Sequence, residues 1–184
     1  MSNMNIVGEA FEIASDAHRG VYRKGYNLPY MVHPMRVSSS LAIHIKDDVV
    51  LAAALLHDVL EDCAPDKLVE FQQRIQQLDS GITIIHIVEE LTKPEGVDKN
   101  EYMKSFATKS VEALVIKLFD RLDNVMDFRF HNPNYSEVYS AKALVLYETV
   151  KARLEDINSR FGYKFAKVCD EVVSKLIACA KKAG

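Results

Sequence analysis

Asp47-Asp48-Val49-Val50-Leu51-Ala52-Ala53-Ala54-Leu55-Leu56-His57-Asp58-Val59-Leu60-Glu61-Asp62 is the stretch on which the fold turns. Two acids supply a cap and a favourable first-turn charge, and Val49, Ala52, Ala53, Leu56 and Val59 then recur at helical spacing as a broad apolar face. The pattern predicts a helix over residues 48–62. Its apolar run, residues 49–56, is the longest in the chain and falls far short of the roughly 18 to 20 residues that cross a bilayer.

The same spacing recurs on both sides. Upstream, Ile6, Ala10, Ile13, Ala14 and Ala17 mark a first helix that stops at Gly20. Residues 22–32, with Gly25, Asn27 and Pro29, read as an ordered loop, and Pro34 opens a second helix that runs to about residue 44. Downstream, Leu68, Phe71, Ile75 and Leu78 mark another helix. Residues 80–91 are rich in β-branched side chains but do not alternate, so helix is preferred to strand there. A loop over residues 92–100 leads to a helix over 110–130, ended by His131-Asn132-Pro133-Asn134. Two long helices, 136–160 and 163–182, divided by Gly162, finish the chain. The expectation is an all-α globular helical bundle in one domain, residues 1–184.

Composition narrows the function. The 184 residues are 48% hydrophobic and 27% charged with no low-complexity tract, so one packed domain is expected. Net charge is −3, which excludes the broad electropositive surface of a duplex-binding protein. No secretory leader opens the chain, and three cysteines, Cys63, Cys169 and Cys179, cannot all pair within it. A cytoplasmic protein with reduced thiols is expected, with no membrane and no nucleic acid among its partners.

Chemistry concentrates at the end of the decisive helix. On a continuous helix His57, Asp58, Glu61 and Asp62 share one face, directly after an apolar segment where unpaired carboxylates are costly to desolvate. A cation is expected to meet them; a solvated helix end is the alternative. Asp120 and Asn124 lie one turn apart in a segment with apolar residues on both sides, and His33 precedes Pro34 at a helix start. Together His33, His57, Asp58 and Asp120 would make a mixed nitrogen and oxygen site suited to Mn²⁺, Fe²⁺ or Zn²⁺. Spacing alone leaves open a capping role for His33 and a pairing of Asp120 with Lys117 or Arg121.

The order His33, His57-Asp58, Asp120 resembles the HD superfamily of metal-dependent phosphohydrolases. Further segments are similar to the (p)ppGpp hydrolase domain of the RelA/SpoT family: Ala17-His18-Arg19-Gly20, Tyr22-Arg23-Lys24-Gly25, Pro29-Tyr30 before His33-Pro34, His57-Asp58 with Glu61-Asp62, and Lys117-Leu118 before Asp120-Arg121-Leu122 with Asn124. The chain length resembles that of a stand-alone small alarmone hydrolase of the metazoan SpoT type. The resemblance implies an HD-domain helical fold in which His33, His57, Asp58 and Asp120 hold Mn²⁺. It further implies that Glu61 and Asp62 act as the acid/base pair, that Arg23 and Lys24 meet the nucleotide, and that Asn124 hydrogen-bonds the sugar. The implied reaction releases pyrophosphate from the 3′ position of ppGpp or pppGpp. Phe119, where the family has a small residue, and Asp123, where it has His or an aromatic, depart from the pattern.

Lys99 and Lys104, with Lys109, are candidates for a basic rim around the substrate, and Tyr139 and Tyr147, eight apart, for an aromatic border on one helix face. Solvated lysines and packed tyrosines are the competing readings. Two other functions share part of this pattern: an HD phosphatase acting on another nucleotide, such as NADPH or a deoxynucleotide, and a catalytically silent alarmone-binding protein. The final helix carries a stripe of Val168, Val172, Leu176 and Cys179 that serves either the core or a dimer contact.

Overall fold

The structure is a computed structural model that describes residues 5–23, 27–131 and 133–183. The chain divides into two compact units, Met1–Thr92 and Lys93–Gly184, and the regular elements of the described residues are helical in both.

In the first unit α1 spans Ile6–Ala17, α2 Val32–Ala42, α3 Asp48–Leu56, α4 Val59–Asp62, α5 Leu68–Gln76 and α6 Gly81–Leu91. Helix α3 organises the rest. Asp47 caps it, its carboxylate accepting from the Val50 amide at 3.3 Å. Val50, Ala52, Ala53, Ala54, Leu55 and Leu56 are all buried, so the helix is apolar nearly all round rather than on one face. The small alanines let α1, α2 and α6 pack around it. The β-branched segment 81–91 is helix, as its lack of alternation predicts. Gly81 opens it because a Cβ there would run into the carbonyl oxygen of Ile75.

Two boundaries differ from the sequence reading. The helix expected over 48–62 breaks at His57-Asp58, with His57 closing α3 and Asp58 preceding α4. Helix α2 starts at Val32, so Pro34 is its third residue; its missing amide still costs nothing, because first-turn amides have no partner within the helix.

In the second unit α7 spans Lys99–Ser105, α8 Val111–His131, α9 Pro133–Ala141, α10 Leu144–Ala152, α11 Leu154–Phe161 and α12 Tyr163–Ala180. Helix α12 packs against α8, α9, α10 and α11. Val172 and Leu176 of its stripe are buried in this unit's core, and Cys179 is half-buried. The expected loop 92–100 gives way at Lys99 to α7, where the Asp98 carboxylate accepts from the amides of Asn100 and Glu101. The expected helix 136–160 is three pieces. At Ala143 and Arg153 the amides turn to carbonyls three residues back, Ser140 and Val150, so the chain bends without Gly or Pro. The end of α8 expected at 131–134 includes Asn132, which lies outside the described residues.

No helix among the described residues is long and apolar enough to cross a membrane.

Candidate metal centre

The break at His57-Asp58 builds the site. His57 ends the buried α3 with its ring 1% exposed, and its Nδ1 lies 2.8 Å from the carbonyl oxygen of Ala54. A carbonyl only accepts, so Nδ1 carries the hydrogen there and Nε2 is the nitrogen left to face an ion. Nε2 faces the Asp58 carboxylate, whose Oδ2 is 3.0 Å from it and 3.6 Å from Nε2 of His33, two contacts that call for a cation between them. His33 sits in the first turn of α2, not at its cap, and is equally buried.

These three donors lie within 4.8 Å of one another. Ligands about 2.1 Å from a shared ion stand about 3 Å apart at right angles, so two imidazole nitrogens and a carboxylate oxygen at this spacing fit a divalent metal.

A further layer supports the carboxylate. The Tyr30 hydroxyl donates to Asp58 Oδ2 at 2.7 Å, and its ring lies against that of His18, tilted by 37° with centroids 4.7 Å apart. The Arg23 guanidinium lies over the Tyr30 ring, 5.4 Å from its centroid. Arg23 is largely buried, and its backbone amide ties the loop together by donating to the Leu28 carbonyl. Lys24 lies outside the described residues. Asp62 follows one turn after Asp58, its amide donating to the Asp58 carbonyl at 2.9 Å. Its side chain reaches solvent, yet partial desolvation and then the Asp58 charge hold its carboxyl above the ordinary carboxylate range, against a hydrogen bond from Tyr30 that pulls it down. Glu61 is exposed.

In the sequence His18 stands only as part of the Ala17-His18-Arg19-Gly20 segment. It is 3% exposed with neither ring nitrogen hydrogen-bonded, and burial lowers its pKa from 6.5 to about 4. The unfolded chain therefore binds a proton that the folded chain refuses between those values. Stability of the metal-free protein should be insensitive to this residue above pH 6.5 and fall by a few kcal/mol as pH drops towards 4. Urea melts across that range, with chelator present, should show a flatter decline for His18→Phe; an identical slope would refute the assignment.

In the second unit Asp120 is buried on α8 between two residues of its own helix. Lys117 Nζ is 2.9 Å from Oδ2, and the Asn124 amide donates to Oδ1 at 2.6 Å and to the Asp120 carbonyl at 3.1 Å. Of the two pairings left open for Asp120, Lys117 makes the contact. Arg121 turns elsewhere: its buried guanidinium lies 4.3 Å from the Tyr139 ring centroid.

The aromatic border divides. Tyr139 on α9 packs on Phe128, with Lys99 Nζ 5.3 Å from its ring centroid. Tyr147 on α10 is fully buried, its hydroxyl 3.2 Å from Ser140 Oγ, so it is a core residue and not part of a rim. The two tyrosines belong to different helices because the chain bends at Ala143. Lys99 and Lys104 are exposed at the two ends of α7, and beside Lys99 opens a cleft of about 490 Å³ that Lys142 and Glu148 also line.

A fold of helices and a paired His33, His57-Asp58 centre place this chain among known proteins. It belongs to the HD domain family, whose model matches residues 10–154. Within that family it is 34% identical to the guanosine-3′,5′-bis(diphosphate) 3′-pyrophosphohydrolase MESH1 of Drosophila melanogaster, over 68% of this chain and 70% of that one. It is also 34% identical to the guanosine-3′,5′-bis(diphosphate) 3′-pyrophosphohydrolase of Borreliella burgdorferi, over 79% of this chain. The chain spans only 22% of the length of that relative, and the same share of the GTP pyrophosphokinase of Streptomyces coelicolor, to which it is 32% identical. A solved structure described as a metazoan ortholog of SpoT that hydrolyzes ppGpp superposes with a TM-score of 0.66 at 28% identity, covering 81% of this chain and 87% of that one.

Proposed function

We propose that this protein is a metal-dependent hydrolase of ppGpp and pppGpp, releasing pyrophosphate from the 3′ position and leaving GDP or GTP. The observation that carries the reading is the donor set of two buried histidines, His33 and His57, and the half-buried Asp58, in the order of the family's motifs, in a chain whose relatives are named for this hydrolysis. Asp120 is proposed as the fourth ligand and Mn²⁺ as the ion. When bound, such an ion supplies Lewis acidity towards the phosphoryl group and the water that attacks it.

The chain's own residues do the rest. His57 is held with Nε2 forward by the Ala54 carbonyl, and Asp58 is held by Tyr30. Asp62, with Glu61 beside it, is proposed to move the protons: one leaves the attacking water and one reaches the departing ribose 3′ oxygen. Arg23 and Lys24 are proposed to meet the nucleotide, and Lys99, Lys104 and Tyr139 to border it. Since the Asn124 amide nitrogen holds Asp120, its carbonyl oxygen is the end proposed to accept from a ribose hydroxyl. The HD match runs across both compact units, which supports reading residues 1–184 as one hydrolase domain.

The test is incubation of purified protein with ppGpp and Mn²⁺, with and without chelator, resolving pyrophosphate from orthophosphate. Chelator-sensitive release of pyrophosphate with GDP is expected. Orthophosphate release, or no turnover by protein that demonstrably holds metal, would overturn the reading.

A further inference from the structure

We infer that Tyr30 is a positioning residue for the metal centre: its hydroxyl fixes the Asp58 carboxylate in the orientation that faces His33 and His57. The inference rests on reading Asp58 as a metal ligand.

The geometry starts from where Asp58 stands. It directly precedes α4, the position at which an aspartate ordinarily accepts from the amides of the next helical turn. Its side chain makes no such capping bond. The carboxylate is turned to the cluster instead, and the oxygen that approaches both Nε2 atoms, Oδ2, is the one that accepts from the Tyr30 hydroxyl at 2.7 Å. That bond spans 28 residues of sequence and links the 27–31 turn to the α3–α4 break. A carboxylate oxygen has lone pairs for both a hydrogen-bond donor and an ion, and an outer donor of this kind selects the rotamer that can ligate.

Tyr30 is itself fixed on several sides. Its amide donates to the Val21 carbonyl at 2.8 Å, and its carbonyl accepts from the His33 amide at 2.9 Å. One neighbouring ring is that of His18, the other that of His33, with centroids 6.0 Å apart. A phenol holds its proton at neutral pH, so the hydroxyl is a donor here. The same hydroxyl also interacts with the Asp62 carboxyl, so one phenol stands beside both the candidate ligand and the candidate acid/base group.

Tyr30→Phe tests the role, because it deletes the hydroxyl and keeps the ring on His18 and under Arg23. Mn²⁺ affinity, measured by calorimetry and by the paramagnetic resonance of free Mn²⁺, should weaken about 10- to 100-fold. The thermal midpoint of the metal-free protein should stay close to that of wild type, and at limiting Mn²⁺ turnover should fall with little change in the nucleotide KM. Tyr30→Leu, which removes ring and hydroxyl together, separates packing from positioning. If Tyr30→Phe binds Mn²⁺ as wild type does while Tyr30→Leu does not, the ring alone matters and the inference is overturned. The metal titration uses no nucleotide. A wild type that binds Mn²⁺ yet leaves ppGpp intact would therefore sink the hydrolase reading while the Tyr30 comparison still decides; a wild type that takes up no divalent ion would overturn both.

Discussion

Asp58→Ala should lose pyrophosphate release and metal uptake together. The substitution removes the carboxylate from the His33, His57 and Asp58 cluster, and with it charge that draws a divalent cation to these donors. Metal affinity should drop by more than the roughly 10- to 100-fold typical of an outer-layer change, and turnover should fall below detection at any Mn²⁺ concentration the protein tolerates. The fold should survive. Asp58 lies at a helix break, makes no capping bond and is partly solvated. Near-native circular dichroism with lost Mn²⁺ binding is the expected pair of observations. A variant that stayed folded and still turned over ppGpp at the wild-type rate would remove Asp58 from the ligand set.

Much of this was legible in the sequence, and the misses share a cause. Apolar spacing located α1, α3, α6, α8 and α12 because each buries a face long enough to repeat several times. The breaks at His57-Asp58, Ala143 and Arg153 left no trace in residue type, since none contains Gly or Pro; at Ala143 the amide bonds three residues back to Ser140, and Arg153 shares its amide between Thr149 and Val150. Helix α7 did leave a signal: Asp98 followed three residues later by Glu101 is a helix-start pair, ahead of the buried Tyr102 and Met103. The donors His33, His57 and Asp58 were legible as types, but the outer layer was not. Nothing in a linear string shows that Tyr30 reaches Asp58, that the Ala54 carbonyl sets the His57 tautomer, or that His18 carries its ring buried without a hydrogen bond. Tyr147 shows the opposite error: its spacing from Tyr139 implied a shared helix face that the bend at Ala143 abolishes.

Asp62→Asn separates chemistry from metal binding. The change preserves shape and a polar contact for the Tyr30 hydroxyl, and it leaves His33, His57 and Asp58 untouched, so Mn²⁺ affinity should stay near the wild-type value. Turnover should fall about 10²- to 10⁴-fold, the range expected when a positioned general acid or base is lost. The expectation rests on environment as well as residue type. A carboxyl that exchanges protons during a reaction near neutral pH works best when its pKa lies above the ordinary range, and partial desolvation moves Asp62 in that direction. Glu61 stands one residue earlier and is exposed as Asp62 is, so Glu61→Gln must be compared with Asp62→Asn directly. The decisive comparison is single-turnover cleavage of ppGpp at saturating Mn²⁺ for both variants. A large loss confined to Asp62→Asn assigns proton transfer to that residue; wild-type cleavage by Asp62→Asn with a large loss in Glu61→Gln transfers the role to Glu61; wild-type rates in both would leave the proton steps to groups outside this pair.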